Sequence, residues 1–409
     1  MRKQSRTLLC GLALLVACGP AVSREAAPTR PAPSGVLWLD TDEGLLAVEV
    51  SGGTMRMELP DAIASQDFSE VYSTRFKNRR TTLVRWGTDE ARRLSSMVVG
   101  GRFVANVVGP GGLVAMTEPR SPGATPWLPD GRASTTVVVA DPNEGTKRTY
   151  QLRGNFEPEA FSTNGRRLYT IEYIPPSAPN RYQVRILNLA TGKVSAIRRL
   201  KAKAPGQMRG TGRMQVFAPE GHELYTLYTR QGPNYAHGAP ADSSRARNHA
   251  FIHLLSLEGG WAHCIDLPLP FGLGSATASS IDISRDGREL YVSDWTNGAV
   301  AVVDPSAVKV LRTARLPLGD ADNRTFAAAA STGLLYLAGN DAVATVDTAS
   351  MKVVDRWQMD GEVAGLEVSP DGRTVYVAVA GAIAMMDAVT GRQIGAVPVG
   401  AVNDILHTG

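Results

Sequence analysis

An all-β fold built by repetition is predicted for these 409 residues, and three observations predict it. A turn ending in glycine recurs, with one or two residues between, before an apolar residue followed by Tyr: "STNG" before Leu168 and Tyr169, "APEG" before Leu224 and Tyr225, "SRDG" before Leu290 and Tyr291, "ASTG" before Leu335 and Tyr336, and "SPDG" before Val375 and Tyr376. The runs between turns are only five to eight residues long and rich in Val, Ile, Leu and Tyr, which favours strands over helices. The two ends of the chain are also complementary. "AVNDILHTG" at 401–409 reads as a first strand with nothing after it, and "GVLWLDTDEGLLAVEVSGGTMRMELP" at 35–60 reads as the three strands that should follow.

Each copy reads as a short apolar strand, an SPDG-like turn, a strand with the apolar-Tyr pair, a loop, a strand ending near Asp, a TG-like turn and a fourth strand. The turn glycine supplies a positive φ that other residues resist. A four-stranded sheet cannot bury both faces alone, whereas stacking such sheets in a ring does so. Seven copies fall at about 61–98, 102–153, 155–200, 213–266, 278–317, 324–360 and 362–398. The joined ends make one more, so eight blades are expected, with seven as the alternative because copies before residue 110 lack a clean turn. Pairing of the N- and C-terminal segments would remove the open edges of the ring.

These repeats resemble the bacterial YVTN-type repeats, relatives of WD40, which form β-propellers. The resemblance covers about residues 36–409 and is strongest in the last five copies, with "YTIE", "YTLY", "YVSD" and "YVAV" at the signature tetrapeptide. It implies a single β-propeller of four-stranded blades.

Ahead of the ring, Arg2, Lys3 and Arg6 precede an apolar run from Thr7 to Ala17, the layout of a secretory signal and too short to span a bilayer. The run ends in Leu15, Val16, Ala17 and Cys18, which resembles the lipobox of bacterial lipoproteins. Residues 1–17 are therefore expected to be a signal peptide, Cys18 the lipidated residue, 18–35 a Pro-rich tether and 36–409 the propeller. The protein is expected outside the cytoplasm, touching a membrane only through that lipid, with secretion as the alternative. Removing the signal lowers Lys plus Arg from 43 to 40 against 39 acids, a net charge of +1. A near-neutral total gives no support to nucleic-acid binding. Cys264 is then the one remaining thiol and reads as a small, inert strand residue.

Strand alternation places first-to-second and third-to-fourth turns on one rim and all other connections on the opposite rim. The first rim holds only short turns. The opposite rim holds every long insertion, starting at Glu118, Ile174, Leu200, Arg230 and Leu267, and long loops on a rigid scaffold are where binding usually sits. Arg198, Arg199, Lys201, Lys203, Arg209 and Arg213 come without an acid, and the Arg230 insertion adds Arg245 and Arg247 against Asp242. Such a patch favours an anionic partner, whether protein, glycan or small ligand. The candidate ligand-binding residues are Arg209, Arg213, Arg245, Arg247 and Tyr235, with Trp127 and Phe271 as further stacking surfaces.

Catalysis has weaker candidates. Glu172 and Asp294 occupy equivalent places three residues after the second-strand Tyr, but in blades that are not adjacent. His249 and His253, four apart on a strand, are about 13 Å apart, too far to share a zinc. "DTDEG" at 40–44 has part of a calcium-loop spacing and reads better as a tight hairpin. No phosphate-binding glycine loop or GxSxG is found. The expected function is a ligand- or partner-binding scaffold, monomeric and without cofactor or metal. The alternative is a propeller enzyme such as a lactonase, a lyase or a quinoprotein-dehydrogenase-like subunit.

Overall fold

The computed structural model describes residues 35–409 except 89–90, 122–128, 201–206, 211, 230–248, 320, 322–323 and 330–332. Eight antiparallel sheets form a closed β-propeller. Blade 1 joins the chain ends, with Asp404–Thr408 innermost, then Val36–Thr41, Gly44–Glu49 and Met55–Leu59. The closing pair runs antiparallel from Leu37 opposite Thr408 to Asp40 opposite Asp404. Val36 and Gly409 exchange backbone bonds of 3.0 Å at its end.

Blades 2 to 8 follow in chain order, each with its first strand innermost. Those inner strands are Ala62–Ala64, Val104–Val108, Asn155–Phe161, Gly212–Phe217, Ser279–Ile283, Phe326–Ala329 and Gly365–Val368. Blade 5 gains a fifth, outer strand: Arg198–Arg199 pairs in parallel with Trp261 and Ala262, so the start of the basic run is an edge of the sheet.

The repeated residues have identifiable duties. Gly165, Gly287, Gly333 and Gly372 close their turns at φ between 64° and 77°, which a side chain resists. In the same turns Ser162, Ser284 and Ser369 each use one hydroxyl twice, donating to the Asn or Asp two residues on and accepting the amide five residues on. The second-strand tyrosines lie between blades. Tyr169 donates to the carbonyl of Leu257 in the next blade at 3.0 Å, and Tyr336 to that of Ala388 at 2.8 Å. Each such bond adds about 1 kcal/mol to the apolar packing that joins neighbouring blades. The core is accordingly a set of inter-blade layers, one of which packs Val343 and Trp357 of blade 7 against Val375 and Val377 of blade 8.

Every connection between second and third strands, or from a fourth strand to the next blade, leaves from one rim, and the described parts of the long insertions lie there. Both Val36 and Thr408 lie at the other rim, where the short turns are.

Candidate functional site

The eight inner strands enclose a channel. Side chains alternate along a strand, so every second residue faces this space. A cavity of about 1740 Å³ follows the inner strands of blades 1 to 5, and a chamber of about 260 Å³ lies among blades 5 to 8 and 1. Pro219 and His407 line both.

The partition comes from blade 2. Its first turn, Ser65 to Ser69, reaches across the channel: Gln66 donates to the Ala218 carbonyl of blade 5 at 3.1 Å, and Phe68 stacks on His407 at 4.6 Å and 5°. Asp67 stiffens the turn by accepting from both serine hydroxyls at 2.7 and 2.8 Å. Burial raises its carboxyl, but these hydrogen bonds outweigh that and hold it below the ordinary range. Phe68 itself sits at φ 54°, a conformation its side chain disfavours.

Two groups of ionisable residues face this space. In the small chamber, Asp282 of blade 6 and Glu367 of blade 8 flank blade 7, whose inner strand offers only Ala327, Ala328 and Ala329 beyond Phe326. Asp282 accepts the Ala329 amide at 2.6 Å. Burial pushes Asp282 up to about 7. Glu367 is pushed up to about 8 by burial and then by the neighbouring Asp282 charge. Asp404, farther along blade 1, is raised to about 6 by burial, with Arg324 opposing at 2.5 Å. His407 is held below its ordinary value by burial, although Asp67 pulls it upward. Near neutral pH the pair therefore holds protons that ordinary carboxyls have lost, a condition suited to proton transfer.

The second group lies in the wall between blades 4 and 5. Glu159, with a side chain 2 % exposed, stands 3.7 Å from the Arg213 guanidinium, itself 9 % exposed. Gln215 donates to Glu159 Oε1 at 2.8 Å, while Oε2 has no hydrogen-bond partner among the described residues. Burial raises Glu159, and Arg213 pulls it partly back. Burial in turn lowers Arg213, and Glu159 together with Tyr173, Tyr228 and Glu157 outweighs it, leaving the guanidinium above its ordinary value. The network continues outward, because Arg213 accompanies Tyr173, which donates to Glu157 at 2.6 Å, and Arg120 lies over the Tyr173 ring and binds Asp130 at 3.2 Å.

The residues expected from sequence are placed as follows. Arg209 is exposed, whereas Arg213 is buried in the ion pair just described. Arg245, Arg247, Tyr235, Trp127 and Cys18 lie outside the described residues. Phe271 is buried and offers no stacking face. Glu172 and Asp294 are held apart in blades 4 and 6. Glu172 accepts from Gln183 and Arg185, both at 2.6 Å. Asp294 is fully buried and anchors the Leu267 insertion by accepting the Gly272 amide at 3.0 Å, while also binding Asn297. Cys264 is partly buried and forms no disulfide among the described residues.

Sequence reasoning passed over Asp282, Glu367 and His407, although a signal was there. In "DIS", "EVS" and "HTG" each residue stands two places before the first residue of its turn, so the copies align three polar groups facing the channel. Among the described residues no cluster of three or more His, Cys, Asp or Glu side chains is placed to hold a metal ion.

Comparison with known proteins adds similarity of form. No family model matches the chain, and no curated protein matches it. Solved structures that resemble it include a dihydro-heme d1 dehydrogenase, NirN, with 15 % identity, TM-score 0.48, and coverage of 92 % of this chain and 76 % of that one. Saccharomyces cerevisiae Sqt1 has 11 % identity, TM-score 0.48, and coverage of 81 % and 83 %. Kuenenia stuttgartiensis hydrazine synthase has 13 % identity, TM-score 0.44, and coverage of 93 % and 99 %. At such identities the likeness concerns the fold alone.

Proposed function

We propose that the protein is a binding module, anchored outside the cytoplasm by lipid on Cys18, that takes its ligand into the channel cavity. The observation that supports this is the cavity itself, about 1740 Å³, walled by side chains from five blades and reaching both rims at blades 1 and 2. A rigid ring with its polar groups turned inward is already organised for a ligand, so little ordering is required on binding.

The test is to block the cavity. Ser69 is exposed and lines it. In a chain stripped of its other cysteines, Ser69→Cys coupled to a bulky maleimide should abolish the thermal shift given by ligands found in a broad small-molecule screen. Shifts that persist in the blocked protein would place binding elsewhere. Anchoring is read separately: Cys18→Ala should release the protein from membranes, and unchanged membrane association would overturn that part.

A second reading, an enzyme using proton transfer in the manner of a lactonase or lyase, is supported by the Asp282 and Glu367 pair facing one chamber. Activity on a lactone panel that survives Asp282→Asn with Glu367→Gln would refute it.

A further inference from the structure

The hairpin joining the second and third strands of blade 2 differs from its counterparts. Its strands, Glu70–Lys77 and Arg80–Gly87, have eight residues each, whereas the inner strand Ala62–Ala64 has three and pairs only as far as Ser73. The hairpin, with the end of the outer strand Arg92–Gly100 beside it, therefore projects past the inner strand at the long-loop rim. In blades 1, 7 and 8 the same connection is two residues long and carries acids or no charge: Asp42 and Glu43, Asn340 and Asp341, Ala380 and Gly381. In blade 2 it is basic. No acid occurs from 71 to 88 or from 91 to 117. Arg75, Lys77, Arg79, Arg80 and, from the connection to blade 3, Arg102 are exposed, and none forms an ion pair among the described residues.

The register sets Lys77 opposite Arg80, on the side of the hairpin that also carries Arg75. Like charges placed so are destabilising, and an anion from outside the chain would relieve them. Phe76 points to the other side and is 47 % exposed, with the Arg102 guanidinium 5.6 Å from its ring centroid. The tip has ten exposed residues, 75–80, 98 and 100–102. An ordinary protein interface takes roughly 20–30 on each side. A bilayer makes no such demand: its phosphates accept from guanidinium forks, and an aromatic ring enters the boundary beneath them.

We propose that this hairpin docks the propeller on an anionic phospholipid bilayer, its cations on the phosphates and Phe76 in the headgroup layer. The contact is borne by the protein itself, so it adds to the lipid proposed on Cys18 and does not depend on the channel cavity as a ligand site.

The experiment uses residues 19–409, which hold the whole closed ring and no acylated cysteine. This form should sediment with equimolar phosphatidylglycerol and phosphatidylcholine vesicles, less as salt rises, and not with vesicles of phosphatidylcholine alone. Arg79→Asn with Arg80→Thr suits the φ of 61° at Arg79 and the strand at Arg80. With the melting temperature unchanged, it should lower partitioning about thirtyfold, since each cation near a charged surface multiplies it about fivefold. Phe76→Thr should lower it about tenfold by removing the apolar contact. Lys309→Thr with Lys352→Thr removes two exposed cations from blades 6 and 7 and should leave it unchanged. Failure to sediment with the anionic vesicles, or equal losses from the two double variants, would overturn the proposal. Binding to poly-L-glutamate in preference to vesicles would also overturn it and point to an acidic protein.

Discussion

Two walls of the same channel bury carboxyl groups by opposite means. Between blades 4 and 5, Glu159 is enclosed beside a guanidinium and an amide donor. Between blades 6 and 8, Asp282 and Glu367 have backbone amides but no cation in contact among the described residues, and they are raised to about 7 and 8. The first wall compensates buried charge with an opposite charge. The second removes the charge by keeping the proton, so one wall is built for permanence and the other for response to pH.

The largest effect should come from breaking the compensated wall. Arg213→Met leaves Glu159 buried without its cation and should cost about 3–5 kcal/mol of stability by denaturant titration. Arg213→Met with Glu159→Met should restore most of that loss. A single variant as stable as wild type would show that the pair contributes nothing and would erase the contrast.

A smaller effect separates the other wall. The folded pKa of Asp282 and Glu367 lies above the ordinary carboxyl value, so the stability these groups contribute is complete at pH below about 4 and is lost as pH rises through about 7 to 8. Asp282→Asn with Glu367→Gln should therefore raise the melting temperature by about 2–4 °C at pH 8.5 and leave it unchanged near pH 4. A shift equal at both pH values would mean that the carboxyls are ordinary.

The smallest effect sharpens the contrast. Tyr228 is fully buried, and its hydroxyl, which feels the Glu159 charge, has no hydrogen-bond partner among the described residues. Tyr228→Phe should change stability by less than about 0.5 kcal/mol. A loss well above that would show that the hydroxyl is part of the compensated wall.

The ring was legible because each copy repeats its own local chemistry: the Ser and Gly of its turn, the buried Tyr of its second strand, and ends that complete one blade. The walls of the channel were harder to read because they are assembled from residues far apart in sequence. Arg213 shows the difficulty. It closes a run of basic residues that reads as an exposed patch, yet it belongs to an inner strand, Gly212–Phe217, and turns toward Glu159 of the preceding blade. Asp294 shows it from the other side, since a carboxyl at the long-loop rim reads as a chemical group and instead holds the Gly272 amide. In both cases strand parity decides the role, and it becomes visible only when the copies are aligned residue by residue.

The closing pair of blade 1 has a bearing on how the molecule comes into being. Three of its strands leave the ribosome long before the partner they require, Asp404–Thr408, is synthesised. Until then the nascent chain carries an unfinished sheet with one bare edge, so maturation ends with a latch rather than starting from a seed, and chains released early would be the ones left for proteases to clear.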